Sequence, residues 1–303
     1  MNNIKEYKNI LLAVLVMVLW GSIFPMVKVG YRTFGIATGY VPNILLFAGV
    51  RFVVCGAVII LYARRKRKRM ALEKHELSAV LAVGIFAVIL HYTFTYSGLT
   101  MTDSSITALI KQLGGFVFIP LSFLFFKEDK FGVNKLLGAI CGFGGLVVLN
   151  LTPSGIRFGV GELLVILASL CTVASNVLGK KVMKTVDSIV MTGYSQFFGG
   201  VVLLTVGLIG GGNIGAVSMR AVMVFAYICT ASILGYCIWN QLVSRSNLSQ
   251  LFIVKFLEPL FAAVFGAILL GEDVFHIRFL LALAFTVGAV LISHVEIGKK
   301  GSK

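Results

Sequence analysis

Ten apolar stretches, each long enough to cross a bilayer as a helix, leave this chain one broad solution: helices packed side by side in a membrane. They fall near 10–30, 41–63, 77–99, 104–126, 134–151, 162–180, 187–210, 221–243, 249–270 and 277–295. A spanning helix needs about 20 mostly apolar residues and satisfies its backbone hydrogen bonds within itself. Charged residues make up 13% of the chain, hydrophobic residues 58%, and mean hydropathy is +0.97. A soluble domain carries about 25% charged residues. The first stretch follows Lys5 and Lys8, as a secretory leader would. It has no clear small-residue cleavage site and precedes nine more stretches, so it is expected to remain as a helix. The expected fold class is all-α integral membrane with ten transmembrane helices.

The net charge of +15 is unevenly spread. With both termini in the cytoplasm, nineteen of the 27 lysines and arginines fall on the inner side, six of them in the run Arg64-Arg65-Lys66-Arg67-Lys68-Arg69. Four (Arg32, Arg157, Arg220, Arg278) fall outside, and Lys28, Arg51, Lys111 and Lys255 fall within stretches. Positive charge gathers on the cytoplasmic side of membrane proteins, so this orientation is expected, in the plasma membrane. The basic run lies between two spans, where anionic lipid headgroups are its expected partner and nucleic acid is not.

The chain also repeats itself. Lys111 and Lys255 stand 144 residues apart, and each lies 17 residues before a glutamate, Glu128 or Glu272, that closes its stretch. The same shift takes Tyr92 to Tyr236, Gly138 to Ala282 and Gly144 to Gly288; a shift near 152 takes Lys28 to Lys180. Two units follow, 1–152 and 153–303, of five spans each, forming one integrated membrane domain. An odd number of spans inverts the second unit relative to the first, which predicts a pseudo-twofold axis in the membrane plane and a solute site near the midplane.

Charges inside such spans are costly and mark candidate sites. Arg51 needs an anion, a carbonyl or water; a tie to Glu258 is the structural alternative to solute contact. Lys255 and Glu258 share a helix face at i, i+3 and can form an ion pair. Lys111 has no such partner, since Gly114 stands where the other half has Glu258. Each lysine lies about 6 Å from its helix centre, on opposite sides of the midplane, so both stems can reach one cavity. Lys28, near a helix end, can snorkel to the interface. Trp20, Tyr92, Tyr236 and Asn240 lie near the matched positions and can supply walls or neutral hydrogen bonds, with helix packing as the alternative. Tyr96, Gln112 and Gln196 are weaker candidates of the same kind. His91 can relay protons or simply pack; His276 and His294 lie near span ends. Cys55, Cys141, Cys171, Cys229 and Cys237 show no metal-ligand spacing and read as small packing residues.

Leu19-Trp20-Gly21-Ser22 with Lys28 behind it, followed by Arg51-Phe52, resembles the first two helices of EamA-like proteins in the drug/metabolite transporter superfamily. Gly161-Glu162-Leu163-Leu164 with Gly179-Lys180-Lys181 is similar to the start of their second half, as is Leu257-Glu258-Pro259-Leu260 running to Leu269-Leu270-Gly271-Glu272. The resemblance covers nearly the whole chain and implies a secondary transporter of small metabolites. The chain departs from the pattern at Gly114-Gly115, where the family usually has a proline, and in carrying Lys111 and Lys255. Plastid phosphate translocators, distant relatives in the superfamily, hold anionic substrates with basic residues in comparable helices; this is analogy.

An alternating-access transporter of an anionic or zwitterionic solute is the favoured function. An exporter of cationic drugs is the alternative, and Glu258 alone supports it. An integral membrane enzyme would want clustered carboxylates for metal or a nucleophile beside a base, and the sequence holds no aspartate cluster and no H-E-x-x-H helix. No phosphate-cradling or zinc-binding motif occurs either, so no cofactor is expected. Self-association into a homodimer stays open.

Overall fold

The computed structural model describes residues 2–101, 107, 110–150, 159–215, 217–273 and 277–294, apart from the side chains of 2–6, 149, 150 and 294. The start of the fourth stretch at 102–106, His276 and the His294 side chain therefore lie outside the described residues. The helices are α1 (Asn2–Thr33), α2 (Val41–Arg65), α3 (Lys74–Leu99), α4 (Leu113–Leu121), α5 (Val133–Asn150), α6 (Val160–Val182), α7 (Ser188–Ile209), α8 (Met219–Arg245), α9 (Leu248–Lys255), α10 (Leu257–Leu270) and α11 (Ile277–His294). No strand occurs among the described residues. Seven helices, counting α9 and α10 as one run, are long and apolar enough to span a membrane; Leu113–Leu124, Val133–Val148 and Ile277–Ser293 are shorter apolar helices. The chain is thus a multi-pass membrane protein.

Local chemistry sets the helix ends. Pro42 opens α2, where its missing N–H costs nothing. The Asp187 carboxylate accepts from the Ile189 amide (2.9 Å) and Ser218 Oγ from the Ala221 amide (3.1 Å), capping α7 and α8. Partial burial pushes the Asp187 carboxyl up, but the Lys68 ammonium at 2.8 Å and the Ile189 amide outweigh it and hold the group below its ordinary value. Gly271, at φ +70°, takes the left-handed conformation that stops α10.

Three stretches depart from the continuous helices expected of them. The third holds a π-helical turn, Ile85–Leu90, directly before His91. The fourth is interrupted at Lys111 and Gln112, which form a turn before α4. Pro120 then removes a helix donor, and the chain tightens into a 3₁₀ turn at Ser122–Leu124. The ninth breaks for one residue at Phe256, so Lys255 ends α9 and Glu258 lies in the first turn of α10. The ammonium and carboxylate thus sit at the helix ends whose dipoles favour them.

α2 packs along α7, α5 along α11, α1 against α8 and α10, and α6 against α3 and α4. Glycines permit the first contact. A Cβ at Gly49 would fall under 3.0 Å from Leu204, one at Gly56 from Phe197, one at Gly200 from Phe52 and Val53, and one at Gly207 from Leu46. A shift of 151 residues converts the Gly49–Leu204 contact into the positions of Gly200 and Val53, and the Gly56–Phe197 contact into those of Gly207 and Leu46. Between α5 and α11, a Cβ at Gly138 would meet the Ala289 carbonyl (2.9 Å) and one at Gly145 the Ala282 carbonyl (3.0 Å), which correspond under a shift of 144. Such backbone approach is how membrane helices gain dispersion contact where no hydrophobic effect drives them together. Large aliphatic side chains such as Leu11, Ile209, Ile268 and Leu291 point outward, as lipid-facing residues do.

Candidate functional site

The helix breaks and the π turn border one cavity of about 1180 Å³. Its walls come from α1, α2, α3, α6, α7, α8, the Lys111–Gln112 turn and the α9–α10 junction. Trp20, Arg51, His91, Tyr92, Lys111, Tyr236, Asn240, Lys255 and Glu258, the nine residues singled out above as candidate solute or proton contacts, all line it. So do Tyr96, Gln112 and Gln196. At one end the lining residues Lys28, Thr38, Gly39, Leu99, Thr100, Glu272 and Asp273 are exposed, so this end is the mouth. Thr192, Ser195 and Gln196, elsewhere in the lining, are buried.

Lys255 and Glu258 form an ion pair with both side chains nearly buried, and the ammonium also lies 5.6 Å from the Trp20 ring centre. Gly235 leaves the space that the Trp20 indole occupies. Lys111 has no carboxylate within ion-pair distance among the described residues; its Nζ stands 4.7 Å over the Phe24 ring. Arg51 is 3% exposed, and its guanidinium lies over Phe52 (4.3 Å) and Tyr92 (5.3 Å). The alternative of an Arg51–Glu258 tie is corrected here: Glu258 is engaged by Lys255, and Arg51 is held by aromatic faces.

Tyr92 and Tyr236, equivalent under the shift of 144, meet hydroxyl to hydroxyl at 2.8 Å. His91 Nδ1 is held between the Ala168 carbonyl (3.1 Å) and the Thr172 hydroxyl (3.0 Å). Asn240 donates to Thr192 Oγ1 (2.8 Å), and the Trp239 indole donates to Asn176 Oδ1 (2.7 Å). Thr172, Asn176 and Thr192 were not foreseen as site residues. Thr172 and Asn176, four apart on α6, are a polar pair in an apolar run, and that spacing was the available signal.

Several buried polar atoms along this cavity have no hydrogen-bond partner among the described residues: Trp20 Nε1, Arg51 Nε, Thr95 Oγ1, Thr107 Oγ1 and both amide atoms of Gln196. Buried polar groups are nearly always paired, and leaving one unpaired costs about 1–3 kcal/mol. Their concentration here marks a wall built for polar contact. Lysine and arginine beside aromatic faces, hydroxyls and amides can bind an anion and an apolar body together. No group of three or more histidine, cysteine or acidic residues among the described residues is placed to hold a metal.

The model of the EamA-like transporter family matches residues 7–151 and 159–294. An uncharacterized transporter of Synechocystis sp. is 25% identical over 90% of this chain and 86% of its own length. A "probable amino-acid metabolite efflux pump" of Escherichia coli is 25% identical over 94% of this chain and 92% of its own length. A crystal structure with 16% sequence identity superposes with a TM-score of 0.78, covering 95% of this chain and 96% of that one, and so shares the fold.

Proposed function

The chain belongs to the EamA-like transporter family, and from that premise we propose that it carries a small anionic or zwitterionic metabolite by alternating access. It is a membrane transporter, and its family and relatives are transporters and efflux pumps, not enzymes. Lys111 carries the reading of solute charge. Its ammonium faces the cavity with no acidic partner among the described residues, so a solute carboxylate or phosphate is the anion that completes it. Arg51 offers a second cation, whose Nε–H has no partner among the described residues. Trp20, Tyr92, Tyr236 and Asn240 flank the solute, and His91 is the residue available to relay a proton. The relative named as an amino-acid metabolite pump supports a zwitterion within this class.

The architecture that goes with this reading is ten spans in two inverted units, 1–152 and 153–303, in the plasma membrane with both termini cytoplasmic. The reciprocal glycine contacts and the Tyr92–Tyr236 hydrogen bond support it, since residues exchanged by a twofold axis touch each other only on that axis. Helices interrupted beside Lys111 and Lys255 support a shared central site, because broken helices line the midplane sites of inverted-repeat transporters.

Counterflow in proteoliposomes tests the charge assignment. Preloaded carboxylates, phosphates or amino acids should drive uptake of a labelled member of the same class. Robust exchange of quaternary ammonium dyes, with no response to any anion or zwitterion, would make Glu258 the solute-binding group and the chain a cation exporter.

A further inference from the structure

The glutamates that close the fourth and ninth stretches are not used by the cavity chemistry, yet both are paired, and with equivalent lysines. Lys180 Nζ lies 3.8 Å from Glu128, and Lys28 Nζ lies 3.1 Å from Glu272. The shift of 144 relates the glutamates and that of 152 the lysines. The two ends nevertheless differ. Lys28 and Glu272 stand at the mouth with side chains 51% and 43% exposed. Glu128 is likewise 52% exposed, but the Lys180 side chain is only 7% exposed, and its ammonium donates to the Ser246 carbonyl at 2.8 Å and lies over the Phe126 ring, so the burial is that of the lysine and its carbonyl acceptor.

Ser246 belongs to the turn between α8 and α9, and that turn is held from three sides. Asn9 of α1 donates to Ser246 Oγ (3.2 Å), Lys180 of α6 holds its carbonyl, and Asp129 accepts from the Ser249 amide (3.1 Å) and hydroxyl (2.6 Å). The turn leads straight into α9, which ends at Lys255. Side chains from both halves of the chain therefore tie the end of the cavity opposite the mouth to the helix that carries a site lysine.

We propose that Lys180 is a positioning residue for transport: it latches the closed end of the cavity through Ser246, and Lys28 with Glu272 is the matching latch that closes the mouth in the opposite state. The physical basis is the difference in burial. An exposed lysine–glutamate pair contributes little, whereas a buried ammonium must keep its acceptors. The closed end is thus held by contacts that exist only in this state, and the mouth pair gains strength only when the mouth closes around it. Opening one end and sealing the other exchanges a buried latch for its equivalent, which keeps the two states close in free energy.

The test is one-sided labelling and needs no solute, so it stands or falls separately from the solute assignment, although it rests on alternating access. A cysteine is placed at Ala87, which lines the cavity, in a chain whose native cysteines are replaced by alanine. An impermeant maleimide is then applied to oriented vesicles from the mouth face or from the closed face. Lys180→Met should raise labelling from the closed face on the order of tenfold, the scale of one buried charged hydrogen bond. Lys28→Met should leave closed-face labelling at or below its original level, and Lys180→Arg, which keeps the donor, should resemble the parent. Asn9→Ala, a milder change that loosens the same turn, should shift labelling as Lys180→Met does, by less, and serves alone if Lys180→Met does not fold. The proposal is overturned if folded Lys180→Met or Asn9→Ala protein labels like the parent, or if the Lys28 and Lys180 variants shift labelling the same way. Should the membrane orientation be reversed, the faces exchange names but the contrast between variants persists.

Discussion

At the scale of single residues, the cavity holds two lysines with different dependencies. Lys111→Gln should lower solute affinity several-fold or more while changing thermal stability little, because no carboxylate loses a partner. A binding isotherm and a melting curve on the same preparation check this; normal binding by a well-folded variant would make the lysine structural. Lys255→Gln should weaken both, since removing one member of a buried pair typically costs about 3–5 kcal/mol. Adding Glu258→Gln should restore much of that stability without restoring transport. A double-mutant cycle in which the two losses simply add would sever the link between the residues. The lysines were legible in the sequence because charge in an apolar run has few innocent explanations. The surroundings of Arg51 were less so: its charge was visible, but whether a carboxylate or an aromatic ring meets it depends on how α2 lies against α3 and α10. Thr172, Asn176 and Thr192 were missed for a related reason. Threonine and asparagine in a membrane helix can bond to the preceding turn, as Thr172 does to the Ala168 carbonyl at 3.3 Å and Asn176 to the Thr172 carbonyl at 2.7 Å, so their presence alone does not separate a site from self-contained packing.

At the scale of elements, the positions of most helices could be read from apolar length, while their interruptions could not. The Lys111–Gln112 turn and the π turn before His91 contain no proline or glycine, whereas the break at Phe256 precedes Pro259, which has no N–H to bond the Lys255 carbonyl; each appears where the chain borders the cavity. Sequence periodicity reports a face; it does not report where a helix gives up hydrogen bonds to reshape a wall. The glycines of α2 and α7 are the converse case. Small residues let membrane helices pack closely, but only the structure pairs Gly49 and Gly56 with Leu204 and Phe197, and Gly200 and Gly207 with Val53 and Leu46. Gly200→Leu should therefore push the two backbones apart at the centre of this contact. Overpacking of this kind costs about 1–3 kcal/mol. A lowered melting temperature with the solute preference unchanged is the expected outcome, because the glycine faces α2 and not the cavity. An unaltered melting temperature would mean that the two helices are already apart in the membrane.

At the scale of the whole molecule, orientation rests on charge and the cavity gives it consequences. With nineteen basic residues assigned to one side and four to the other, we propose that the ends bearing the run 64–69 and the α6–α7 loop face the cytoplasm. The mouth, bordered by Gly39, Thr100, Glu272 and Asp273, then opens to the exterior, and the turn clamped by Lys180 seals the interior. Ser78 near the start of α3 and Ser218 at the cap of α8 are both exposed and fall on opposite faces under this assignment. Single cysteines at these positions, in a background without the native ones, provide the test on intact cells. An impermeant reagent should label position 218 and spare position 78 until the membrane is opened. Labelling of 78 but not 218 would turn the molecule over. The cavity would then face the cytoplasm, Lys111 would lie on the inner side of centre and Lys255 on the outer, and the state described here would be the one that loads or releases solute inside the cell.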